Sequence, residues 1–129
     1  MVALRLKKPD RIEWMQKATD FLGCLVTVRV DRPLGSRHPK YGFRYPRNYG
    51  FVPDTLAADG EELDVYVLGV ETPLLEFRGI CIAVIHRLND DEDKLIVVPL
   101  GRSFSTAEIL AQTHFQEQFF SSVLIRGDE

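Results

Sequence analysis

The chain has 129 residues, of which 45% are hydrophobic and 27% charged, and a formal net charge of −3. That length suits a single domain, expected over 1–129, and no apolar run approaches the roughly 20 residues of a membrane helix. The mild acidity argues against a dedicated nucleic-acid binder, and the early charges of MVALRLKKPD argue against a secretory leader, so the expected location is the cytoplasm.

Residues 10–22, DRIEWMQKATDFL, predict a short amphipathic helix inside an N-terminal helical segment, 1–23. Asp10 can cap it, Trp14, Met15, Ala18, Phe21 and Leu22 recur at helical spacing, and Gly23 can end it. CLVTVRVD (24–31) alternates Leu25, Thr27 and Arg29 against Val26, Val28 and Val30, the pattern of a half-buried strand. Cys24 and Cys81 both lie in apolar strand-like runs and are expected to be buried, reduced thiols.

Residues 36–50, SRHPKYGFRYPRNYG, hold Arg37, Lys40, Arg44 and Arg47 with His38 and no acid, and too many breakers for a helix. A loop is expected there, feeding a short strand at NYGFV. The next segment holds Asp54, Asp59, Glu61, Glu62 and Asp64 with no base, so a basic block abuts an acidic one. LDVYVLGV (63–70), GICIAVIHRL (79–88) and KLIVVPL (94–100) are predicted strands, rich in β-branched residues, the last two joined as a hairpin by NDDED. Ser105 and Glu108 fit a capping box that opens a helix over 105–120, and VLIRGDE ends the chain as an edge strand or tail. Short strands with helices at either end predict a mainly β (α+β) fold: a small closed, OB-like barrel over 24–100 with both helices packed outside.

Chemistry concentrates in DGEELD (59–64) and NDDEDK (89–94). Carboxylates without His or Cys suit hard cations such as Mg²⁺. In an extended segment Asp59 and Glu61 point one way and Asp64 the other, so a turn at Gly60 has to re-aim one of them. Cations and phenolic hydroxyls beside such a cluster are what a polyphosphate needs for neutralisation on both flanks.

With YPRNYGFVPDTLAADGEELDVYVLG and DEDKLIVVP in view, the chain resembles the soluble family I inorganic pyrophosphatases, as a short, divergent member. The likeness spans roughly residues 26–120, through Y-P-x-x-Y-G-[FY], D-x-D-x-x-D, the acidic turn ending in Lys before L-V-x-V-P, and PLGSRHPKY. It implies an OB-like barrel, two or more Mg²⁺ ions, hydrolysis of pyrophosphate or a related small phosphoanhydride, and self-association. Matched residue by residue, it implies Asp59 and Asp64 as metal ligands. Glu61, where the family has Asp, would be the metal-bridging residue that helps activate the attacking water, with Tyr49 near that nucleophile. Lys40, Tyr45 and Lys94 would bind phosphate oxygens. Asp90 and Asp93 are the matches for two further metal ligands, with Asn89, Asp91 and Glu92 competing.

Four departures leave alternatives open. Gly42 stands where the family has a metal-binding Glu, Arg29 where it has an acidic residue, and Phe119–Phe120 where it has a phosphate-gripping Tyr–Lys pair. The hairpin that carries a phosphate-binding Arg is missing, with Arg37, Arg44 and Arg47 as candidate replacements. The second reading is therefore a protein that binds a phosphate compound with little turnover. A third is an OB-type single-strand binder stacking bases on Tyr41, Phe43, Tyr45, Tyr49 and Phe51.

Overall fold

In the computed structural model, residues 17–56 and 60–127 are described, so Asp59 and most of the predicted N-terminal helix lie outside them. The described end of that segment is a 3₁₀ turn, Ala18–Phe21, with Ala18 buried. Strand β1 (Leu25–Arg32) comes next, and its alternation works as the sequence predicted: Val26, Val28 and Val30 are buried while Leu25, Thr27 and Arg29 face out. Then come β2 (Asn48–Phe51), β3 (Asp64–Val67), β4 (Glu76–Arg87), β5 (Asp93–Val98), helix α1 (Thr106–Glu117) and β6 (Ser122–Arg126).

The strands pair in the order β1-β2-β3-β5-β4-β6, and β1 also pairs with β4. That second pairing closes β1, β2, β3, β5 and β4 into a barrel. The long β4 offers one edge to β5, and its other edge is shared between β1, from Glu76 to Ile80, and β6, from Ala83 to Arg87. All pairings are antiparallel except β3 with β5.

Two apolar layers result. Inside the barrel pack Val26, Val28 and Val30 with Val65, Val67, Leu95, Val97, Cys81 and Val84. Between the outer face of β3, β5 and β4 and helix α1 lie Tyr66, Leu68, Ile96, Val98, Ile85, Phe104 and Ile109. Each fully buried Val, Leu or Ile contributes roughly 1.5–3 kcal/mol through burial. Ser105 caps α1 and exchanges both hydrogen bonds of a capping box with Glu108. Its buried stripe is Ile109, Thr113 and Glu117, four apart, so the last member of an inward-facing row is a carboxylate.

A bulge interrupts β1 near its end. Val30 pairs with Gly50 and Arg32 with Tyr49, which makes Asp31 the extra residue of the strand. Gly50 permits this approach, because a Cβ there would lie 1.9 Å from the carbonyl oxygen of Arg29. Asn48, fully buried, pins the surrounding loops: its side-chain oxygen accepts from the amides of Leu34 and Leu74, and its side-chain nitrogen donates to the carbonyl of Thr72.

The two thiols differ. Cys81 is buried as expected, but Cys24, in the bend that leads into β1, is exposed; both are free.

Candidate active site

Strand alternation places one row of polar side chains on the barrel's outer face, beneath the C-terminal end of α1. Tyr49 comes from β2, Asp64 and Tyr66 from β3, Lys94 from β5 and Arg87 from β4, strands that are consecutive in the sheet. A cavity of about 770 Å³ opens above them. Asp31 and Arg32 both reach its lining because the bulge breaks the alternation that would send them to opposite faces. Its remaining wall is largely aromatic, drawn from the 36–50 loop and from Phe119–Phe120 just past α1.

The floor is a connected network. Lys94 is 3% exposed, and its ammonium donates to Asp64 Oδ2 at 2.6 Å and Glu92 Oε1 at 2.7 Å. Glu92 Oε1 also lies 3.5 Å from Arg87 Nη1. Arg87 forks onto Glu117 through Nε at 3.0 Å and Nη2 at 2.7 Å, and its guanidinium stacks 3.6 Å above the Phe120 ring. Tyr66 donates to Glu117 at 2.7 Å and accepts from Gln116 Nε2 at 2.7 Å, and Tyr45 donates to Gln116 Oε1 at 3.4 Å. Burial opposes the charge on Arg87, but the hydrogen bonds and proximity of Glu117 outweigh it and hold the guanidinium's pKa above its usual value.

Burial, then the Asp64 carboxylate, lifts the Tyr49 hydroxyl well above the usual phenol range. Burial, then Glu117, does the same for Tyr66, and burial raises Tyr45. These phenols therefore remain neutral donors at physiological pH. Asp31 is raised by partial burial; Arg32 pulls it back, while Asp64 and Glu62 push further up. Neighbouring carboxylates that repel in this way favour a cation between them.

The expected site residues divide. Tyr45, Tyr49, Asp64 and Lys94 are brought together around the cavity. Lys40 is exposed at its edge, with its ammonium 5.3 Å from the Tyr41 ring centre, and Glu61 is exposed on the loop before β3, just after Gly60 with its φ of +86°. Arg47 donates to the carbonyl of Pro46, Arg37 to that of Gly42 and Arg44 to that of Gly35, so all three candidate replacements tie down loop backbone. Arg32 and Arg87 line the cavity instead. In the acidic turn, Asp93 pairs with His86 at 2.6 Å on the face opposite Lys94, and Asp90 accepts from Arg87 and from the Glu92 amide. Glu92, two residues before Lys94, is the member of the turn that shares its face.

The residues that sequence reasoning missed are Asp31, Arg32, Arg87, Gln116 and Glu117. The bulge hid the first two. For Arg87 and Glu117 a signal existed: Arg87 extends the outward row Ala83, Ile85, and Glu117 extends the row Ile109, Thr113.

Among the described residues no three His, Cys, Asp or Glu side chains converge on one point. Mg²⁺ nevertheless needs as few as one or two carboxylates, keeping water and substrate oxygens for the rest. The donor set fits such an ion: Asp31 and Asp64 face the cavity, and Asp64 and Glu92 already clasp a cation, the Lys94 ammonium.

The sequence profile of the inorganic pyrophosphatase family matches residues 8–123, and the chain belongs to that family. It is 42% identical over 114 residues to the inorganic pyrophosphatase of Neisseria meningitidis serogroup B, covering 79% of this chain and 56% of the relative. It is 36% identical over 83 residues to that of Ralstonia nicotianae, covering 58% and 42%. The chain spans about half the length of the relatives it matches. The fold is similar to the crystal structure of inorganic pyrophosphatase from Ehrlichia chaffeensis, with a TM-score of 0.64, 19% identity and coverage of 92% and 93%. It is similar also to the Helicobacter pylori inorganic pyrophosphatase, with a TM-score of 0.61, 18% identity and coverage of 91% and 90%. Among the described residues no helix is long and apolar enough to cross a membrane.

Proposed function

We propose that the protein hydrolyses the phosphoanhydride bond of inorganic pyrophosphate with the help of two or more Mg²⁺ ions. The observation that carries this reading is Lys94, a nearly buried ammonium held between Asp64 and Glu92 on the floor of a cavity whose other cations are Arg32 and Arg87. Burying an ammonium costs desolvation that even two carboxylate partners do little more than offset, so a cation fixed on a cavity floor is better explained by what the cavity binds than by packing. It is well suited to an anionic substrate whose other flank is neutralised by metal.

Asp64, Asp31 and Glu92 would hold the metal, with Asp59 and Glu61 from the preceding loop completing the set. When bound, the metal supplies charge neutralisation and acidifies a water molecule. The chain's own residues do the rest. Lys94 and Arg32 bind substrate oxygens, and Lys40 is expected to contribute from the rim. Tyr49 and Tyr45, neutral phenols, donate hydrogen bonds to the oxygens that gain charge. Arg87 anchors the floor through Glu117 and positions Lys94 through their shared partner Glu92. The free thiols of Cys24 and Cys81 suit a reducing compartment, in keeping with a cytoplasmic enzyme, and self-association, implied by the resemblance, is part of the same proposal.

The test is phosphate release from pyrophosphate over a series of Mg²⁺ concentrations, with Asp64→Asn in parallel. Mg²⁺-dependent release that the variant lacks is the expected result. Release no greater in the wild type than in the variant overturns the reading, and ligand-induced stabilisation without release would favour a binding protein.

A further inference from the structure

Pyrophosphate has no apolar surface, yet two large rings at the cavity's rim are left in solvent. Tyr41 is 68% exposed and Phe119 is 73% exposed, and both line the cavity. Behind Tyr41 the rings continue inward: His38 lies 5.0 Å from Tyr41 and 4.8 Å from Phe43, and Phe43 lies 5.4 Å from Tyr45, centre to centre. The charged part of the lining is the floor of Asp64, Lys94 and Arg87 with Asp31 and Arg32 from the bulged end of β1. At about 770 Å³ the cavity falls in the range that drug-sized organic ligands fill, with apolar walls and a few convergent polar groups.

From this division we infer that the site takes an esterified diphosphate carrying a planar heterocycle, a nucleoside diphosphate. Its two phosphates lie on Lys94 and Arg32, and its base stacks on Tyr41 and Phe119. This rests on the hydrolase reading above and names the substrate class of the same site. Aromatic stacking suits the role because every base presents a π-face, so no hydrogen-bonding edge reader is required. In turnover, water attacks the terminal phosphorus: the new P–O bond forms as the bridging P–O bond breaks. The bridging electron pair stays on the nucleoside monophosphate, one water proton remains on the phosphate and the other passes to solvent.

The test is calorimetric titration of the Mg²⁺-supplemented protein with adenosine 5′-(α,β-methylene)diphosphate and, separately, with methylenediphosphonate, which lacks the nucleoside. The nucleoside analogue is expected to bind about tenfold more tightly or better, a ratio that Tyr41→Ala and Phe119→Ala each move toward one. Both rings are exposed, so these variants are expected to fold. Equal affinity for the two probes overturns the inference. So does a ratio unchanged by either variant while the sedimentation coefficient shifts, which would make the rings a contact between copies of the chain. Phosphate release from ADP and from pyrophosphate is measured alongside. Release from pyrophosphate with equal probe affinities leaves the hydrolase reading intact and removes the nucleoside. Tighter nucleoside binding with release from neither substrate supports the ring site and overturns hydrolysis.

Discussion

Residues 60–64 and residues 89–93 look alike as sequence, each dense in carboxylates and each leading into an apolar strand. In the folded chain Asp64 faces the cavity and holds Lys94, whereas Asp90 and Asp93 are engaged by Arg87 and His86, and Asp91 lies 3.8 Å from the His86 ring. Of the second stretch only Glu92 reaches Lys94. Composition therefore locates acidity, but strand parity and the nearest cation decide what a carboxylate can do. Asp64 is the cross-strand partner of Lys94; Asp93 is one residue from Lys94 and so points to the opposite face.

The sharpest way to break this contrast is to neutralise one acid from each stretch. Asp64→Asn is expected to lower kcat for pyrophosphate by about 10²–10³-fold, the scale on which a preorganised charge contributes. Asp93→Asn should stay within about tenfold, because a partly exposed ion pair is worth little. Equal losses in steady-state assays would sink the assignment by parity. Glu117→Ala tests the floor itself: leaving the buried Arg87 without its forked partner should destabilise the protein by about 3 kcal/mol in urea denaturation. Unchanged stability would mean that Asp90 and Glu92 alone satisfy Arg87.

Glu92→Gln sharpens the comparison within the turn. It should raise KM and weaken Mg²⁺ affinity more than Asp90→Asn does, by roughly tenfold, as expected for a group that orients a binding residue. The last comparison concerns Tyr49. Burial and the Asp64 carboxylate hold its pKa well above the usual phenol range, so it stays protonated through neutral and mildly alkaline pH and gives no falling limb to the pH–rate profile there. Tyr49→Phe should lower kcat about tenfold, the contribution of one hydrogen bond to charge. A limb near pH 9 that disappears in Tyr49→Phe would contradict the buried, neutral phenol.

Much of the fold was legible because alternation and capping are local. Val26, Val28 and Val30 announced β1, and Ser105 with Glu108 announced α1. The site was legible where a motif carries its residues on paired strands, as with Tyr49, Asp64 and Lys94. It failed at Asp31, because alternation carries no mark of which residue a bulge will make extra. Glycine was the cue, since Gly50 faces the bulge. It failed again for Arg87 and Glu117, 30 residues apart, whose pairing exists only after α1 folds back across the sheet.

The parallel pairing of β3 with β5 also sets when the site can exist. β4 and β5 are joined by a short turn and can pair as a local hairpin. Asp64 and Lys94, by contrast, are 30 residues apart and meet only when β3 docks on the far edge of β5. Closing β1 onto β4, with Leu25 opposite Ile80, spans a longer stretch still. The entropy of such closures grows as the logarithm of loop length, and non-local pairings of this kind slow folding. The carboxylate–ammonium pair is thus among the later contacts to form, so during refolding catalytic competence should lag behind secondary structure and arrive with the completed barrel.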